Sequence, residues 1–189
     1  MKLRIKRDNL YQELSASVLD TGLLEQLKAF KQHGSSTCYD HSVSVAKAAL
    51  YMAMFLPFRF KHSQLVRGAL LHDYFLYDWH VDRPEKLHGF SHPSTALENA
   101  KRDFADITPL EENIIKRHMF PLTPVPPRYR ESLLVSLADK YCATKEVFVA
   151  LRNRISATSL PRYSRAFARV LPHTLAYLFA MTIAFLPWK

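Results

Sequence analysis

What most restricts this chain is its punctuation. It holds four glycines against eleven prolines, and neither an Asn-Gly nor an Asp-Gly pair occurs. Tight two-residue hairpins need residues that adopt positive φ, so the usual signals of an antiparallel sheet are missing. What remains is apolar residues at helical spacing, separated by proline and hydroxyl-bearing stops. The expectation is an all-α fold of seven to nine helices with no assignable strand. At 189 residues the chain has material for one substantial core, so a single domain over residues 1–189 is expected.

Leu10, Leu14 and Val18, then Leu23, Leu24, Leu27 and Phe30, recur at helical intervals on either side of Thr21-Gly22. That predicts two short helices. Gly34-Ser35-Ser36 reads as a turn, and Tyr39 to Phe55 as a helix stopped by Pro57. Ser63 is placed to cap a helix through Leu65, Val66, Ala69, Leu70 and Leu71 that closes near His72-Asp73. Residues 74–90, rich in aromatics and histidine, read as irregular. Pro93 suits the first residue of a helix running to about Phe104. Thr108-Pro109-Leu110-Glu111 is a capping box that opens the next, to about Arg117. Pro121 to Pro127 is a stiff loop, and Tyr129 to Arg154 is the longest helical candidate. Helices over 161–171 and 172–186 complete the chain.

The formal charge of +9 is concentrated at Lys2, Arg4, Lys6 and Arg7 and again between Arg152 and Arg169. A basic surface attracts any polyanion, but no interleaved aromatic and basic motif of the RNA-recognition kind is present. Charge alone does not choose the partner: a phosphorylated small molecule or nucleotide fits it as a polyanion, and nucleic acid is disfavoured as the main substrate. Cys38 and Cys142 form no CxxC pair, and no signal-peptide apolar core follows the basic N-terminus. Both fit a cytoplasmic location. Leu175 to Leu186 is apolar nearly all round, yet falls short of the about 20 residues a membrane span needs. A buried core helix is the first reading; a homo-oligomer contact or an interfacial membrane helix are the alternatives.

The chemistry lies where polar residues interrupt core-facing stripes. His41 shares a helix face with Val45, Ala48 and Met52, and His72 follows Leu65, Gly68 and Ala69. Asp139 lies with Val135, Ser136, Cys142 and Ala143, where an ionised carboxylate is costly to bury without a partner. No basic residue shares that face, so the partner comes from elsewhere in the fold. Neighbours on a helix point about 100° apart, so His72 and Asp73 converge only where a helix ends. An imidazole and a carboxylate meeting at one point suit a first-row metal such as iron, manganese or zinc.

Asp40-His41-Ser42, Leu70-Leu71-His72-Asp73 and Leu137-Ala138-Asp139-Lys140-Tyr141 resemble the defining motifs of the HD-domain metal-dependent phosphohydrolase superfamily. His92 in Ser91-His92-Pro93 and His118 in Ile114-Ile115-Lys116-Arg117-His118 look like the further ligands of its two-metal members. The order H…HD…H…H…D is similar to that of the cyclic-dinucleotide phosphodiesterases of the superfamily. The resemblance covers about residues 36–145. No Gly-Tyr-Pro follows a His-Asp, and nothing after residue 150 matches a recognised module. What the chain most looks like is a short, stand-alone bacterial HD hydrolase.

The resemblance implies an HD-type helical bundle and a binuclear centre of two divalent or mixed-valence transition-metal ions. Iron or manganese comes first, with zinc, nickel or cobalt behind. His41, His72, Asp73 and Asp139 would hold the first ion, and Asp73 would bridge to a second completed by His92 and His118. The implied reaction is hydrolysis of a phosphomonoester or phosphodiester by a metal-bridging hydroxide, with Asp73 and Lys140 as the catalytic residues. Lys140, Arg128 and Arg130 are candidate cations for the substrate's phosphoryl charge, with Lys116 and Arg117 behind them. Two alternatives stand beside this: a di-iron oxygenase with the same ligand arrangement, and a non-catalytic ligand-binding domain. The aromatic loop of Tyr74, Phe75, Tyr77, Asp78 and Trp79 is either core packing or the wall of a pocket, and His88 points either into the cleft or to solvent. Cys142 reads as a small apolar filler. His33, His62, His80 and His173 read as structural or solvated, and Arg152, Arg154, Arg162, Arg165 and Arg169 as a solvated face or a polyanion dock.

Overall fold

The computed structural model describes residues 2–32, 36–81 and 88–156. The expected helices over 161–171 and 172–186, with His173 and Arg162 to Arg169, lie outside the described residues, as do His33, Gly34 and Ser35. The rest is helical: α1 (Lys2–Leu19), a 3-10 helix (Leu23–Ala29), α2 (Cys38–Phe55), α3 (His62–Leu71), α4 (His88–Asp103), α5 (Pro109–Arg117) and α6 (Arg130–Ser156). Among the described residues there is no strand, only one bridge between Lys31 and Thr37. None of the helices described is long and apolar enough to cross a membrane. The all-α expectation holds.

The break at Thr21-Gly22 is where the sequence places it. The Thr21 hydroxyl donates to the Val18 carbonyl at 2.7 Å, and Gly22 turns the chain at φ 69° before the 3-10 helix. The capping box of α5 also forms as expected. Glu111 N–H donates to the Thr108 hydroxyl at 3.3 Å, and Thr108 N–H donates to the Glu111 carboxylate at 2.8 Å. A second box, unread in the sequence, opens α2. Asp40 N–H donates to the Thr37 hydroxyl at 3.1 Å, and Thr37 N–H donates back to Asp40 at 3.2 Å.

Two helix starts differ from expectation. Ser63 does not cap α3: Lys61 is the capping residue, without a side-chain bond, and Ser63 is already helical. Glu131 of α6 accepts the Lys61 N–H at 3.0 Å, so the orphan donor is satisfied from another helix. Pro93 does not open α4 either. That helix begins at His88 with Pro93 inside it, so residues 88–90 are helical rather than irregular. The proline sits early enough that its missing N–H deprives only the Gly89 carbonyl, one bond in the second turn.

α3 is the centre of the bundle. Leu65, Val66, Gly68, Ala69, Leu70 and Leu71 are all buried, and α1, α2 and α5 pack around them. Gly68 sets the closest approach, since a Cβ there would lie 2.7 Å from Ile114 Cδ1 on α5. α6 runs along α2 and α5 and closes the other side through Leu134, Val135, Ala138 and Cys142. Five helices thereby direct ends or inner faces at one buried volume.

Candidate metal centre

His41 lies in the first turn of α2, its N–H bonded to the Thr37 carbonyl at 3.0 Å. His72 is the C-cap of α3 and His118 the C-cap of α5, both still with helical backbone angles. Asp73 follows His72 just past the helix, His92 stands inside α4, and Asp139 faces inward from α6. All six are buried, Asp139 being the most accessible at 9%.

The structure brings these six together. His41 Nε2 is 3.0 Å from Asp139 Oδ1, and His72 Nε2 is 3.5 Å from Asp73 Oδ2 and 3.8 Å from Asp139 Oδ1. The other oxygen of Asp73, Oδ1, lies 3.3 Å from His92 Nε2 and 3.5 Å from His118 Nε2. One carboxylate thus stands between two groups of imidazoles. His41, His72 and Asp73 form one, and Asp73, His92 and His118 the other, with the potential ligand atoms of each within 4.8 Å of one another.

The second nitrogen of every ring is occupied. His72 Nδ1 donates to the Ala69 carbonyl at 2.7 Å, His118 Nδ1 to Ile115 at 2.7 Å, and His92 Nδ1 to His88 at 2.8 Å. A carbonyl only accepts, so these three rings are protonated on Nδ1 and, when neutral, present a lone pair at Nε2. His41 Nδ1 instead meets both carboxylate oxygens of Glu146, at 3.1 and 3.2 Å.

That arrangement fits a cation. His72 Nε2 is buried without a hydrogen-bond partner. The Nε2 atoms of His92 and His118 face each other at 2.8 Å, so either an extra proton or a cation must relieve two opposed lone pairs. Imidazole and carboxylate ligands reach a first-row ion at about 2.0–2.2 Å, and such rings are typically steered by a hydrogen bond on the far nitrogen.

The electrostatics are those of a site holding positive charge. Burial alone would lower the His41 pKa, but bonds to Asp139 and Glu146 outweigh it and push it up to about 10. Burial likewise opposes ionisation of Asp73 and Asp139. The imidazoles of His72 and His92 nonetheless hold Asp73 well below the usual carboxylate range, and those of His41 and His72 do so for Asp139. His118 is pushed down to about 3 by burial and then by His72 and His92, which leaves it neutral and able to ligate.

The cations expected beside the site separate. Lys140 Nζ stays with it, donating to the His118 carbonyl at 2.7 Å and the Ser136 hydroxyl at 3.1 Å, and standing 3.7 Å from Asp139 Oδ2. Arg130 does not reach it. Its guanidinium stacks on Phe58 at 4.8 Å, beyond the end of α2 opposite His41, because Arg130 precedes Asp139 by two and a half turns of α6. Arg128 is directed at Tyr129, 5.9 Å from the ring centre, while its N–H bonds Asn113. Neither arginine is among the groups brought to the cluster.

The aromatic loop divides as well. Tyr74 and Phe75 are core, the Tyr74 hydroxyl donating to Asp103 at 3.0 Å. Trp79 stacks on His88 at 5.0 Å, and His88 on His92 at 4.5 Å, a column of flat rings ending at the cluster.

The chain matches the HD domain family over residues 38–144. It belongs to that family. No curated protein and no solved structure matches it. The six clustered residues all fall inside the matched stretch of the HD domain. Two residues around the HD cluster went unread in the sequence. Gln32 Nε2 donates to Asp73 Oδ2 at 2.8 Å, while its Oε1 accepts from the Cys38 thiol at 3.2 Å. Gln32 precedes α2 in a stretch without periodicity, so no pattern marks it. Glu146 could have been found, since it follows Asp139 by seven residues, two turns along one face.

Proposed function

We propose that this HD domain is a metal-dependent phosphohydrolase that binds two transition-metal ions and cleaves a phosphomonoester or phosphodiester of a small molecule or nucleotide. One observation carries the reading. Four imidazoles from four helices are each steered at Nδ1, so that every Nε2 turns toward the carboxylates of Asp73 and Asp139. HD domains are typically metal-dependent hydrolases, and the donor set of nitrogen and carboxylate oxygen suits iron or manganese before softer ions.

His41, His72, Asp73 and Asp139 would hold one ion, and Asp73, His92 and His118 the other. Two such ions supply a nucleophilic water near neutral pH and neutralise charge on the phosphoryl oxygens. Asp73, with Oδ2 toward His72 and Oδ1 toward His92 and His118, would serve both groups. Lys140 adds a fixed positive charge beside Asp139 and fixes the His118 carbonyl, so its part is positioning as much as charge. The Trp79–His88–His92 column packs face to face against the His92 side of the cluster and would hold that ring in place.

The test is a preparation loaded without oxygen with manganese or iron and offered phosphomonoesters, linear and cyclic phosphodiesters and nucleotides. Release of phosphate or alcohol is expected with two ions bound, and none from a folded His72→Ala protein. Full loading with no turnover of any phosphorylated compound would overturn the hydrolase. Turnover that requires dioxygen would reassign the domain to the oxygenase reading.

A further inference from the structure

The partners of the four imidazoles are not equivalent. His72, His92 and His118 each lean on a neutral backbone carbonyl three or four residues back in their own helix. His41 alone leans on a charged side chain from another helix. Its ring is fully buried and held on both edges by α6, with Asp139 Oδ1 3.0 Å from Nε2 and the two Glu146 oxygens 3.1 and 3.2 Å from Nδ1. The two acidic residues are seven apart, about 10.5 Å along the helix axis, and the imidazole bridges that interval. The Glu146 side chain is only 14% exposed, so water screens its charge poorly.

We infer that Glu146 is a positioning residue which makes the His41–His72–Asp73–Asp139 group the tighter of the two cation sites. This rests on the two-ion reading proposed above. An anion on Nδ1–H locks the ring with Nε2 toward the ion and raises the donor strength of that nitrogen, which a carbonyl does more weakly. It also adds a negative charge behind one site and none behind the other. Asp73 is shared, so the remaining charge is lopsided: Asp139 and Glu146 belong to the His41 side. Among the described residues, the His92–His118 side has the His88 and Ile115 carbonyls, and no carboxylate, behind its rings. Glu146 itself is no ligand in this arrangement, because it stands at the ring edge opposite the one that faces Asp139.

The experiment is calorimetric titration of the whole chain with manganese(II), read as two binding steps. In the wild type the steps differ in affinity, and His118→Ala removes the weaker one. Glu146→Ala weakens the tighter step about 10- to 100-fold and leaves the weaker step within about threefold. Glu146→Gln keeps an acceptor for Nδ1–H without the charge and recovers part of that loss. Should Glu146→Ala fail to fold by circular dichroism, the near-isosteric glutamine variant decides alone, with an intermediate loss confined to the tighter step. An unchanged tighter step, or equal weakening of both, overturns the role given to Glu146 while leaving the two-ion reading in place. A wild type that takes up no cation overturns both.

Discussion

His72 and His118 close two different helices in the same way. Each is the C-cap residue with its backbone still helical, and each turns Nδ1 to the carbonyl three residues earlier at 2.7 Å. The rings then meet edge to face, 4.9 Å apart at 84°. Two helix ends, which would otherwise expose unpaired carbonyls, become two aimed imidazoles. This holds only while α3 and α5 lie close enough for their ends to converge.

Gly68 sets that distance. An alanine there would put its Cβ 2.7 Å from Ile114 Cδ1 and 3.1 Å from Ile114 Cβ and Cγ2, with the core packed on every side. Gly68→Ala should lose about 1–3 kcal/mol, the range for overpacking, and lower metal affinity as His72 and His118 separate. Adding Ile114→Val, which deletes Cδ1, should restore part of both. Thermal unfolding followed by circular dichroism measures the first and metal titration the second; a fully stable Gly68→Ala protein would refute the packing argument.

Lys140 binds the His118 carbonyl, the Ser136 carbonyl and the Ser136 hydroxyl. Replacing it by methionine keeps the stem and removes those bonds. The expected loss is about 1–3 kcal/mol of stability, together with a drop in affinity at the His92–His118 side that exceeds any change at the His41 side. If metal uptake is untouched and only turnover falls, Lys140 acts on the substrate rather than on His118.

Gln32 fixes the Asp73 oxygen that faces His41 and His72. Gln32→Leu leaves that oxygen without its donor, and turnover or metal affinity should fall about 10- to 100-fold with the helical spectrum unchanged. Gln32→Asn, one methylene short, should not rescue it. Steady-state kinetics beside metal analysis separates the two losses.

Alkaline stability should track the buried phenol of Tyr11. Burial first, then Tyr39 and Tyr51, raise its pKa from the ordinary tyrosine range to about 12. The fold therefore retains a proton that the unfolded chain releases. That contribution is whole below about pH 10, the ordinary tyrosine value, and is lost as pH rises toward 12. The melting temperature should fall across that window, and less steeply in Tyr11→Phe. Parallel slopes for the two proteins would rule Tyr11 out as a source.

Much of the fold could be read from local chemistry. Thr108-Pro109 and Glu111 mark the start of α5 because a capping box is a contact within four residues. Thr21-Gly22 marks a break because only the backbone there has to turn. The misreadings share one cause, which is that the decisive partner is distant in sequence. Ser63 resembles a cap until Glu131, from α6, satisfies Lys61 instead. Pro93 resembles a helix start, yet α4 forms a turn and a half earlier, where His88 supplies the carbonyl that aims His92. Arg130 resembles a phosphate ligand in one dimension, but the length of α6 takes it to Phe58. Around the cluster, His41, His72 and Asp139 interrupt apolar faces and so stand out, and Asp73 stands out beside His72, whereas His92 and His118 are marked only by the resemblance to the HD motifs. Glu146 follows Asp139 by two turns on one face, a spacing that marks it in the sequence, but what it holds becomes visible only when α2 is laid against α6.

The hold that α6 has on His41 carries a constraint of length rather than of chemistry. Asp139 and Glu146 reach the two edges of one ring because an integral number of turns nearly separates them. Inserting or deleting a single residue between them would swing Glu146 about 100° around the axis and leave His41 gripped from one side only. Side chains from 141 to 145 can vary within their packing, but the count of peptide units between the two acids is fixed by the width of an imidazole.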